Sequence, residues 1–227
     1  MNKKSIIIFC MAALMCSCAA EFNNVYKSPD NDYKYEFAKQ CFAEGKFQQA
    51  ISLLQDVVTF RKGTDTAEES LYLLALSQYC NHDFEAASAT FKKYYATYPK
   101  GVFAEQAAFN VGQSLYESTP EPRLDQTPTV GAINAYQQFL DVFPDSKLRA
   151  EAQQRLFDLQ DNLVKKEYLS AELYYNLGGY FGNINANTES NYEACIITAQ
   201  NALKTYPYTK LREEFAVLIM RSKFDLA

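Results

Sequence analysis

The chain has no tryptophan and only one histidine, His82, in 227 residues. Sugar-binding platforms favour large aromatic faces, so the missing tryptophan weakens any reading as a glycan receptor. A single histidine leaves no Ser/His/Asp, Cys/His or zinc-ligand set to assemble. The six cysteines are dispersed: Cys10, Cys16 and Cys18 crowd the N-terminus, while Cys41, Cys80 and Cys195 stand alone, with no CxxC pair and no disulfide framework. A net charge of −5 and a pI near 5.1 argue against a nucleic-acid-binding face, which the phosphates would require to be basic. No run of 18 or more apolar residues occurs outside the N-terminus, so no internal membrane span is expected. Acidic pairs such as Glu68 and Glu69 fall on helix surfaces with nothing to raise their pKa. An enzyme is therefore not expected, nor is a cofactor or a metal.

What is present is periodic. Ala87, Phe91, Tyr94 and Pro99 are spaced small, +4, +7, +12, which places the first three on one helical face and lets proline end the helix. Ala132, Tyr136, Phe139 and Pro144 repeat the phrase, as do Cys195, Ala199, Ala202 and Pro207. Ala50, Leu54 and Val57 are a looser copy, with Lys62 in the place of proline. Four copies in phase predict an all-α, tetratricopeptide-like α-solenoid of stacked helical hairpins. Each hairpin must bury its apolar stripe against the next, because two helices alone cannot cover it.

The reading divides the chain into residues 1–17, 18–32 and 33–227. Lys3 and Lys4 precede the apolar stretch from Ile6 to Met15, the layout of a secretion signal. Its end, with the small Ser17 directly before Cys18, resembles a bacterial lipoprotein signal, in which cleavage exposes a cysteine for acylation. Residues 18–32 are polar enough for a flexible tether. Helices are expected at Tyr33 to Glu44, Gln48 to Phe60, Ala67 to Tyr79 and Phe84 to Tyr98, with a third repeat from Phe103. The stretch from Tyr116 to Val130 carries Pro120, Pro122 and Pro128 and reads as a long non-helical excursion. From Ser146 to Leu177 there is neither glycine nor proline, which predicts one helix of about 48 Å. GGYFGNINANTES breaks it. A last helix carries Leu211, Phe215, Leu218 and Ile219 on one side, an apolar stripe with no following partner helix. Either this face docks back or onto a partner, or the last of about four to five repeats is a truncated one.

Stacked hairpins curve, and their first helices line a concave groove suited to a peptide. By position in the repeat, Tyr35, Lys39, Phe42, Tyr72, Leu76 and Tyr79 are expected to face it.

The leader, the repeats and above all LFDLQDNLVKKEYLSAELYYNLGGY (Leu156 to Tyr180) resemble the BamD family, lipoproteins of the outer-membrane β-barrel assembly machinery. Leu159, Asp161, Leu163, Lys166, Glu167, Tyr168, Ala171, Glu172, Tyr174 and Tyr175 stand where that family has an L-x-D-x-L…K-x-E-Y-x-x-A-E-Y-Y run. The resemblance implies a lipid-anchored scaffold at the periplasmic face of the outer membrane. It implies as partners a BamA-like barrel subunit, other assembly proteins and unfolded β-barrel clients. Glu167, Tyr168, Glu172 and Tyr175 become the candidates for contacting the partner subunit. The incomplete last repeat and the long GNINANTES loop depart from the family pattern. The competing reading is a helical-repeat lipoprotein that captures glycans for nutrient uptake.

Overall fold

The computed structural model describes residues 21–61, 63–64, 66–178 and 190–227. The leader, its Cys18 and most of the loop after the long helix lie outside these residues. All regular structure in the described part is α-helical: α1 Asn31–Ala43, α2 Phe47–Phe60, α3 Ala67–Cys80, α4 Phe84–Thr97, α5 Ala104–Glu117, α6 Thr127–Val142, α7 Arg149–Leu177, α8 Asn191–Thr205 and α9 Arg212–Leu226. Two compact units are present, Met1–Ser114 and Leu115–Ala227. Among the described residues no helix is long and apolar enough to cross a membrane.

In the first unit, α1 pairs with α2, α2 with α3, and α3 with α4. Asp30 starts α1 by accepting from the Asp32 and Tyr33 amides at 2.9 and 3.0 Å, which satisfies two otherwise orphaned donors. Gly45, at φ 74°, ends it. The Gly45 amide reaches the Phe42 carbonyl and the Lys46 amide the Cys41 carbonyl, the paired bonds of a Schellman turn. The sole histidine does the same work one hairpin later. His82 takes φ 63°, with its own amide on the Tyr79 carbonyl and that of Asp83 on the Gln78 carbonyl. Its ring lies edge-on to Phe84.

The repeated phrase is the core. Ala50, Leu54 and Val57, then Ala87, Phe91 and Tyr94, then Ala132, Tyr136 and Phe139, then Cys195, Ala199 and Ala202 are all buried. Small residues sit where helices approach most closely and larger ones fill the space beside them. The stretch expected to be a tether through Asp32 differs from expectation. Residues 21–26 are helical, and Val25 is fully buried against the α1–α2 core with Phe22 packed beside it. An apolar contact of this kind offsets the entropy that a flexible tether would keep.

The corner between α4 and α5 is closed by side chains from elsewhere. The Tyr94 hydroxyl donates to the Glu68 carboxylate of α3 and accepts from the Phe103 amide at 3.2 Å. Glu68 also accepts from the Val102 amide at 2.7 Å. A Cβ on Gly101 would lie 2.7 Å from the Glu68 carboxyl carbon and 2.8 Å from the Tyr94 hydroxyl, so only glycine lets this knot close.

In the second unit, α6 packs on α7, and α7, α8 and α9 pack on one another. The proline-rich excursion is shorter than expected, residues 118–126, because Pro128 lies in the first turn of α6. There the missing amide has no intrahelical partner to lose. Gln126 fastens the segment, donating to the Glu121 and Leu124 carbonyls at 2.9 and 3.2 Å while accepting from Thr129 at 2.7 Å. Asn162 and Lys166 of α7 reach the Pro120 and Leu124 carbonyls at 3.3 and 3.0 Å.

Helix α7 has 29 residues, about 43 Å. It begins at Arg149 rather than Ser146 because PDSKLR forms a turn: Ser146 accepts from the Leu148 amide and Arg149 donates to the Pro144 carbonyl at 2.8 Å. PYTKLR repeats the device before α9 through Thr209, Leu211, Arg212 and Pro207. The supposedly unpartnered stripe of α9 has its partner. Phe215 and Leu218 are buried with Val164, Ala171, Cys195, Ala199 and Ala202, and Leu211 and Ile219 pack alongside. The helix folds back onto α7 and α8, so that face is inside.

Candidate functional site

Of the six residues placed in the groove by repeat position, Tyr35 is buried and the other five are half-buried. Tyr35 is only 2% exposed. The Arg61 guanidinium lies 4.4 Å from its ring centroid and the Lys39 ammonium 4.8 Å, both within cation–π range. Burial first, and Glu69 second, push its hydroxyl well above the usual tyrosine range. Lys39 pairs with Glu36 at 2.8 Å, and Phe42 is half-buried edge-on to Phe47. Tyr72 stacks on Phe103 at 4.4 Å, meets Phe91 and Tyr94 edge-on, and accepts from Asn110 at 3.4 Å. Leu76 and Tyr79 are packed against the same cluster, with Tyr79 edge-on to Phe84 and taking the Gln113 amide at 3.5 Å. Around Tyr72, Leu76 and Tyr79 the neighbouring side chains come from α4, α5 and the turn before α5. Tyr35 is a core residue, and Tyr72, Leu76 and Tyr79 hold helices together.

The four residues singled out on the long helix fare differently. Tyr168, Glu172 and Tyr175 share a cleft of about 360 Å³ with Asn176 of α7 and Glu213, Glu214, Val217, Leu218 and Arg221 of α9. Glu167 is half-buried but outside it. The cleft continues past Tyr175 into a second hollow of about 330 Å³ with Met220, Arg221, Phe224 and Asp225. Tyr168 is held by its ring, edge-on to buried Phe215 at 5.5 Å, and its hydroxyl donates to Glu172 at 3.4 Å. Burial, then Glu172, raise that hydroxyl's pKa. Tyr175 leans on Tyr192 at 5.8 Å, and Asp225 raises its pKa by holding its hydroxyl. Beyond Glu172, a further hollow of about 310 Å³ is lined by Arg123, Lys166, Leu169, Ser170, Leu173 and Asn176.

Val217, Met220 and Phe224 were not picked out from the sequence. They are 39, 64 and 81% exposed, a second stripe of α9 at spacings of three and four residues. The spacing was there to be read, but the stripe through Phe215 and Leu218 drew the attention. The acidic residues around it carry no signal until α9 is known to fold back on α7. Chemically, the place offers apolar surface, tyrosine hydroxyls and carboxylates, the kinds of group that protein interfaces use.

Stacked helical hairpins define a helical-repeat protein, here with an open aromatic and acidic cleft between α7 and α9. Residues 28–225 match the family of the YfiO outer membrane lipoprotein, and the chain belongs to that family. A relative is the outer membrane protein assembly factor BamD of Caulobacter vibrioides, 18% identical over 171 residues. The match takes in 74% of this chain and 56% of that protein, so the chain spans little more than half the relative's length. Among solved structures, one of the TPR-like repeats of a putative kinesin light chain from Podosopora anserina is 13% identical, with a TM-score of 0.45, over 84% of this chain and 91% of that one. A second structure of those repeats is 12% identical, with a TM-score of 0.43, over 88% and 99%.

Proposed function

We propose that this chain is a lipid-anchored scaffold of the outer-membrane protein assembly machinery, engaging a BamA-like barrel subunit and unfolded β-barrel clients at the periplasmic face. The supporting observation is the family match across residues 28–225, together with an open α7–α9 cleft lined by tyrosines, carboxylates and apolar side chains. In this reading α7 presents Tyr168, Glu172 and Tyr175 to the partner subunit from a rigid helix.

Depleting the protein is expected to lower the levels of many outer-membrane β-barrel proteins together, measured by quantitative mass spectrometry of the outer-membrane fraction. Unchanged barrels with loss of growth on a single polysaccharide would point to glycan capture instead.

Cys18 is the proposed attachment point. Acyl chains contribute about 0.8 kcal/mol per buried CH₂, so two or more hold a protein at a bilayer. Cys18→Ala is expected to move the protein from the membrane pellet to the soluble periplasmic fraction, and its retention in the pellet would remove the anchor.

A further inference from the structure

We infer that the α7–α9 groove receives a basic amphipathic helix, one that carries lysine or arginine along the edges of a leucine-rich stripe. This rests on the reading of the cleft as a protein-docking surface and names the chemistry of what docks there. Along α9 the lining residues run from Glu213 to Asp225, twelve steps or about 18 Å, which matches three turns of a bound helix. The floor is apolar: Val217, Met220 and Phe224 are all exposed, and Leu218 lies beneath. Helices recognised in grooves lay an apolar face on such a floor.

The rim selects the charge. Glu172 on one wall and Glu213, Glu214 and Asp225 on the other share the lining with Arg221. Lys165 lies 4.8 Å from the Tyr168 ring centroid, so four carboxylates stand against two cations. Arg123 and Lys166 line the separate hollow beyond Glu172. None of the four is in a described ion pair. The hydroxyls of Tyr168 and Tyr175 engage Glu172 and Asp225, but a neutral donor leaves the negative charge in place. An acidic segment would meet like charge along the whole length of the groove, at a cost in both affinity and encounter rate. A purely apolar segment would leave the rim's charge unanswered. A Lys- or Arg-edged helix satisfies both features.

The test uses the full chain in detergent and two fluorescein-labelled 14-residue helical peptides, one of leucine and lysine and one of leucine and glutamate, with binding read by fluorescence anisotropy. The Leu/Lys peptide is expected to bind at least tenfold more tightly. That preference should shrink at least tenfold in the double variant Glu213→Lys, Glu214→Lys, and the affinity should fall at least tenfold in Val217→Asp. All three positions are exposed, and circular dichroism checks that helicity is retained. Equal binding of both peptides, or unchanged affinity in the variants, overturns the inference. Depletion reads the assembly role separately. Barrel loss on depletion with no peptide preference would remove the groove inference alone. Peptide preference with unaffected barrels would remove the assembly role and leave the groove standing.

Discussion

Tyr94→Ala is expected to lower the stability of the first unit by about 3–5 kcal/mol, the range for removing a large aromatic from a core. Tyr94 is fully buried, with Tyr72 and Tyr98 each 5.5 Å away and Phe103 at 6.5 Å. Truncation opens a cavity among three rings that cannot collapse, because Tyr72 is pinned flat on Phe103. It also strips the Phe103 amide of its acceptor and Glu68 of a donor. Urea denaturation followed by circular dichroism gives the magnitude. Hydrogen exchange should show the loss of protection in peptides from α3, α4 and α5. Tyr94→Phe keeps the ring and removes only the hydroxyl, so it should cost about 1–3 kcal/mol, the penalty for leaving buried partners unsatisfied. A cost for Phe equal to that for Ala would mean that the hydroxyl, not the ring, carries the site.

The same hydroxyl sets the alkaline behaviour. Burial first, then Glu68, raise its pKa in the folded state above the ordinary tyrosine value. The folded chain therefore holds this proton more tightly than the unfolded one. Its contribution is complete below about pH 10, the unperturbed tyrosine value, and is lost as pH climbs from there through the folded pKa. Tyr94→Phe should flatten part of that alkaline decline, with Tyr35, Tyr72, Tyr168, Tyr175 and Tyr206, whose pKa values are also raised, contributing to the rest.

The hairpins were legible because spacing alone encodes which residues meet. Ala87, Phe91 and Tyr94 share a face at any temperature and in any context, and a small residue at the closest approach permits little else. Pro128 misled for the opposite reason: proline excludes a helix interior but suits a first turn, and only the position of the turn decides. What holds the excursion down is Gln126, Asn162 and Lys166, polar residues with no periodicity to reveal them. In the first unit the packing around the expected groove residues rests on long-range contacts. Tyr72 is half-buried because Phe103 stacks on its ring and Asn110 from the following repeat donates to its hydroxyl. In the second unit Tyr168, Glu172 and Tyr175 line one cleft, whereas the residues opposite them on α9 come into place only by a fold-back that no local pattern records.

Phe215→Ala should be the most damaging change in the second unit, again about 3–5 kcal/mol. Phe215 is fully buried, edge-on to Tyr168, and central to the cluster that ties α9 to α7 and α8. Its loss leaves α9 with Leu218 as the main buried anchor, so amide protection along α9 should collapse first. Because Tyr168 borders the cleft and rests on Phe215, the binding surface should degrade with it. Phe224→Ala makes the contrast. At 81% exposure that ring supports little of the fold, and its removal should stay within about 0.5 kcal/mol in stability. If the groove binds a helix, Phe224→Ala weakens peptide affinity with the melting curve unmoved, while Phe215→Ala lowers both. Equal losses of stability in the two variants would mean that the exposed stripe of α9 is part of the fold's own packing and not a docking face.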